Sequence, residues 1–91
     1  MSKIDIRQPH QLSIDAAHTE VDRIAARMRE KFGVDGQWQG EVLRFSRPGM
    51  DGSITVGRDE IHVQAELGLL LSALRSTIEQ EIRRKLAEDF G

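Results

Sequence analysis

The chain reads as an α+β domain, ordered β-α-β-β-β-β-α, with an antiparallel sheet and two helices packed on one face. Three observations predict this. Apolar residues recur at steps of three and four between positions 13 and 32. Between 34 and 67 the step falls to two, and the breaks are glycine turns far too short for a parallel crossover. From 69 onward the helical spacing returns.

The first strand is expected at 3–7, where Ile4 and Ile6 alternate with Lys3, Asp5 and Arg7. Pro9 has no N–H for a ladder and closes it. The first helix is expected over 13–32. Ser13 stands at the N-cap and Asp15 in the first turn, where a carboxylate complements the helix dipole. Its apolar stripe is Ile14, Ala17, Val21, Ile24, Ala25, Met28 and Phe32, and Gly33 follows as a C′ residue. A four-strand meander comes next. Leu43 with Phe45, Ile54 with Val56, and Ile61, Val63, Ala65 and Leu67 supply its buried face. Gln39-Gly40, Pro48-Gly49 and Gly57-Arg58-Asp59 supply its turns. The opposite face would show Gln37, Gln39, Arg44, Ser53, Thr55, His62, Gln64 and Glu66.

The last helix begins near Leu69, with Leu70, Leu71, Leu74, Ile78, Ile82, Leu86 and Phe90 on its apolar face. Read as one piece to residue 90, it is about 33 Å long, against a sheet about 20–25 Å across. Leu74, Ile78, Ile82 and Leu86 are expected to pack on the sheet; the alternative is that the helix outruns the sheet and leaves Leu86 and Phe90 for a hydrophobic partner.

Composition excludes several function classes. The 91 residues suit a single domain, 1–91, and 38% apolar with 31% charged residues is a globular balance. Without cysteine there is no disulfide, no thiolate-bound zinc and no thiol nucleophile. Residues 1–48 carry 8 basic and 7 acidic side chains, 49–71 carry 1 and 4, and 72–91 carry 4 and 4. No segment has the basic excess that neutralising phosphates requires, so no nucleic-acid partner is expected. The longest apolar stretch, Leu67-Gly68-Leu69-Leu70-Leu71, falls far short of a membrane span. Met1-Ser2-Lys3-Ile4-Asp5 has no apolar leader core, so a cytoplasmic location is expected.

No constellation points to catalysis, a metal or a cofactor. His10, His18 and His62 fall in a loop, on the helix and on a strand, and read as surface imidazoles without metal-site spacing. Glu66 lies four residues beyond His62, about 13 Å along a strand, too far to pair directly. Gly33-Val34-Asp35-Gly36 and Gly49-Met50-Asp51-Gly52 match G-x-x-G. Each holds an Asp, and one leads from a helix into a strand while the other joins strands, so neither joins two helices as an RNA-clamping loop does and both read as turn glycines. The serines at 13, 46, 53, 72 and 76 lie in no nucleophile elbow. An enzyme is not expected.

Several segments together resemble a known family. They are Ile4-Asp5-Ile6-Arg7-Gln8-Pro9-His10, Gly40-Glu41-Val42-Leu43-Arg44-Phe45, Asp51-Gly52-Ser53-Ile54, Glu66-Leu67-Gly68-Leu69-Leu70-Leu71, and Ile78-Glu79-Gln80-Glu81-Ile82-Arg83-Arg84-Lys85-Leu86. The chain is similar to the small polyhydroxyalkanoic acid system proteins of bacteria over nearly its whole length. The resemblance implies association with polyhydroxyalkanoate storage, as a non-enzymatic accessory protein on the granule surface or on a granule protein. It carries over no catalytic residue. Two other classes stay open. One is a small helix-grip-like binder of an apolar ligand, though Trp38, Phe45 and Ile78 should fill that space. The other is a homodimer formed through the polar sheet face or an edge strand, the short first strand being the expected edge.

Overall fold

The computed structural model describes residues 2–90. Its elements are β1 (Ser2–Pro9), α1 (Ile14–Phe32), β2 (Asp35–Gln39), β3 (Val42–Arg47), β4 (Met50–Val56), β5 (Glu60–Leu67), α2 (Leu69–Ser72) and α3 (Arg75–Phe90). The five strands form one antiparallel sheet in the order β1-β5-β4-β3-β2. The meander is as expected, and β1 adds to its far side against β5. β1 is an edge strand, but it runs eight residues rather than five. The other edge is β2.

Each boundary has a local cause. The Ser13 hydroxyl accepts the Ala16 N–H at 3.1 Å and opens α1. Gly33 closes it at φ +68°, its N–H on the Arg29 carbonyl. The Arg47 guanidinium adds a tertiary cap, donating to the Phe32 carbonyl at 2.7 Å. Gly40 leads the β2–β3 turn with φ +62°, the geometry of a two-residue hairpin with glycine first.

The core lies between the sheet and the helices. Ile4, Ile6, Leu43, Ile54, Ile61, Val63 and Leu67 from the strands meet Val21, Ile24 and Met28 of α1 and Ile78, Ile82 and Leu86 of α3. α3 lies over β1, while α1 lies over β4 and β2 and touches α3. Gly52 is a strand residue rather than a turn glycine. A Cβ there would come within 2.5 Å of both the Gln64 carbonyl oxygen and the Phe45 ring, so the missing side chain is what lets Phe45 lie across β4. Gly36 is likewise inside a strand, under Leu43.

One expectation about the last helix needs correction. It is not continuous, because the backbone turns at Ala73–Leu74 and α3 restarts with the Ile78 N–H on the Leu74 carbonyl. Its distal end packs on the sheet, as expected for Leu86, and the alternative of an overhanging end is not what the structure has. Leu86 is 0% exposed, and Phe90 packs on the core with its ring 5.7 Å from that of His10. α3 crosses β1 instead of overhanging the sheet, so its far turns stay covered.

Candidate functional site

The exposed apolar surface gathers where α2 leaves the sheet. Leu67 pairs with Ser2 on one side and Met50 on the other, in the last row of the sheet. Gly68 then turns the chain, its N–H bonded to the Gly49 carbonyl at 2.8 Å. The next residues lie beyond the strands, with no sheet row beneath them. Leu71 folds back over Gly49, 3.4 Å from where a Cβ would stand, and is the half-buried one of the three leucines. Leu69 and Leu70 are left 84% and 92% exposed, with Leu74 beside them in partial exposure.

This tip is held in place. The Ser72 N–H and hydroxyl both donate to the Gly68 carbonyl, each at 3.0 Å. The Ser2 hydroxyl bonds that of Ser72 at 3.1 Å, tying α2 to the start of β1. Gly49 adopts φ +89°, a conformation that L side chains rarely take, and so fixes the turn on which Leu71 rests. The leucines are therefore presented on a braced turn, not on a loose loop.

The sequence reading placed Leu70 and Leu74 on the buried stripe, and the structure overturns that. A signal was there to be used. Three consecutive leucines on a helix point about 100° apart and cannot share one face. At most one or two of Leu69, Leu70 and Leu71 can be buried by a partner on one side.

The open face of the sheet is polar and laddered. Lys3 faces Glu66 at 3.5 Å, Arg7 reaches Glu60, and His62 meets Asp5 at 2.9 Å. Arg44 donates to Gln39 at 3.0 Å. Lys3, Asp5, Arg44 and Glu66 of these pairs, with Asp35 and Asp51, border a wide, shallow depression of about 700 Å³. Exposed cross-strand pairs of this kind are worth about 0–1 kcal/mol each.

The three histidines are not equivalent surface imidazoles. His10 is 6% exposed. Its Nε2 lies 2.8 Å from the Gly57 carbonyl and its Nδ1 accepts the Leu12 N–H at 3.1 Å. That pattern requires the proton on Nε2. His10 pins the β1–α1 loop to the β4–β5 turn, which its own N–H also reaches through the Asp59 carbonyl. His18 stacks on Trp38 at 3.5 Å between ring centroids, and the indole N–H donates to Asp22 at 2.6 Å. His62 finds Asp5 on the neighbouring strand instead of Glu66 on its own. Among the described residues, no three His, Asp or Glu side chains converge as metal ligands.

Inside, the void bounded by α1, α3 and the sheet measures about 20 Å³ and is lined by Ile24, Met28, Val34, Leu43 and Ile82. That is room for about one water. Of the side chains expected to fill a helix-grip space, Phe45 and Ile78 are buried in the core, while Trp38 is only partly buried and stacks on His18.

The family described as "Putative polyhydroxyalkanoic acid system protein" matches residues 4–90. The chain belongs to that family. No curated protein and no solved structure matches it. Membership links the chain to the polyhydroxyalkanoate system. The match includes the whole of β5, the Gly68 turn, the leucine tip and α3, so the tip lies within the shared domain. No helix among the described residues is long and apolar enough to cross a membrane.

Proposed function

We infer that this protein is a non-enzymatic accessory of polyhydroxyalkanoate storage that works by binding at the granule, through the Leu69–Leu70 tip. The observation that carries this reading is the exposure of two adjacent leucines on a turn fixed by Gly49, Gly68 and Ser72. A braced apolar protrusion is costly in water and is suited to an apolar surface. Burying each leucine gains about 1.5–3 kcal/mol. Two of them, less the cost of association, give a reversible contact and not a permanent anchor. The site is also small beside the roughly 800 Å² per partner of a stable protein–protein interface, which favours the granule surface over a tight protein complex. The charged ladder on the open sheet face keeps the rest of the molecule wet. A location on granules inside the cytoplasm follows from this reading.

The test is adsorption of the purified protein to polyhydroxyalkanoate particles in a sedimentation assay, against the Leu69→Gln/Leu70→Gln variant. Both side chains are exposed, so folding should be unaffected. Wild type should pellet with the particles, and the variant should lose at least about tenfold in apparent affinity, the loss of more than 1.4 kcal/mol. Equal binding by the two proteins would refute the assignment of the tip. Binding only when granule proteins are present would move the contact from polymer to protein.

A further inference from the structure

We propose that β2 is a self-pairing edge, through which two copies of this chain join their sheets into one ten-stranded antiparallel sheet. The phase of the hydrogen bonds decides which groups the edge offers. The Val56 N–H donates to the Glu41 carbonyl at 2.8 Å, toward β4. The next residue, Val42, therefore turns its N–H and C=O toward β2, where it pairs with Gln39. By alternation Gln39, Gln37 and Asp35 bond inward to β3. Gly36 and Trp38 point their N–H and C=O groups outward.

That outward pattern complements itself about a two-fold axis. Gly36 of one copy pairs with Trp38 of the second copy, and the reverse, giving four backbone hydrogen bonds with Gln37 facing Gln37 on the axis. The side chains fit the same register. On the helix side each indole lies opposite a glycine, which has no side chain to obstruct it. On the open side Asp35 falls opposite Gln39, and no like charges meet across the join.

The two edges of the sheet are protected very differently. β1 carries Lys3, Arg7 and Pro9, and the Arg75 guanidinium covers the Lys3 carbonyl at 3.0 Å. These are devices that stop strands from adding. β2, Asp-Gly-Gln-Trp-Gln, has no lysine, arginine or proline. From the sequence a dimer was expected through the polar sheet face or an edge strand, with the first strand as the expected edge; that strand is an edge, but the open pairing groups are on β2.

The join involves five residues a side and is small by interface standards, so the dimer is transient and forms toward about 1 mM chain. Sedimentation should show the mass rising from 10.3 kDa toward twice that value as concentration increases. Gln37→Glu and Gln37→Lys each place like charges face to face on the axis, while the exposed side chain leaves the fold intact. Each variant alone should associate roughly tenfold more weakly than wild type. An equimolar mixture of the two should recover association to at least the wild-type level. That recovery is specific to residue 37 meeting its own counterpart. A wild-type chain that stays monomeric at about 1 mM, single variants that associate like wild type, or a mixture without recovery would each overturn the proposal.

Discussion

At the residue scale, single side chains, or their absence, hold this small domain to one conformation. Gly52 sits where a Cβ would strike both the Gln64 carbonyl and the Phe45 ring at 2.5 Å. Gly52→Ala should therefore cost about 1–3 kcal/mol in urea unfolding, by forcing Phe45 or β5 to move. Gly40→Ala meets nothing within 4 Å and should cost only the penalty of a left-handed backbone, about 1–2 kcal/mol. Comparing the two separates steric from conformational demands. His10 is a different case. His10→Ala leaves the Gly57 carbonyl and the Leu12 N–H without their partner and removes the ring that Phe90 packs on. A loss of about 1–3 kcal/mol in the same assay is expected. The role of His10 could not be read in the sequence, because a histidine directly after a proline has no periodic signature. Its burial depends on a turn 47 residues away.

At the element scale, what was legible is what depends on local periodicity and capping. Ser13, Gly33 and the three glycine turns lie where local rules put them. The alternation from Ile61 to Leu67 marks a half-buried strand as it should. What failed was the geometry between elements. The stripe from Leu70 to Phe90 has helical spacing throughout, so nothing local announces the turn at Ala73–Leu74. The two long helices are joined at one charged point. Glu81 of α3 takes the Lys31 ammonium of α1 at 3.1 Å and the Arg84 guanidinium at 2.7 Å. Lys31 first, and then Arg84, hold the Glu81 carboxyl below the ordinary glutamate range. Because the folded state binds this proton more weakly than the unfolded chain, the contribution is complete above the ordinary glutamate range. It is lost as pH falls through the folded value. Wild type should be more stable than Glu81→Gln at pH 7, and the gap should narrow as the pH falls below the ordinary glutamate range. Urea midpoints measured across that range check both the sign and the window.

At the scale of the whole molecule, one layer of helices covers one face of the sheet, and the other face is left to water and ion pairs. Most large apolar side chains are used in that core, and Leu69 and Leu70 are the most exposed of the rest. The interior void of about 20 Å³ leaves no chamber for an apolar ligand. The leucines outside the core therefore carry the functional reading, and they lie at the end of the long sheet rather than in a cleft. Family membership was legible from segments spread along the chain, and it shows the polyhydroxyalkanoate link. The contact surface was legible only in part: three consecutive leucines cannot share one buried face, but which of them is covered is set by Leu71 folding over Gly49.

The measurement that bears most directly on this account is the distribution of the fluorescently tagged protein in polymer-accumulating cells. Wild type should concentrate on the granules, and Leu69→Gln/Leu70→Gln should spread through the cytosol at equal abundance. A wild-type signal that is uniform in the cytosol, or a variant that still decorates the granules, would contradict binding through the leucine tip.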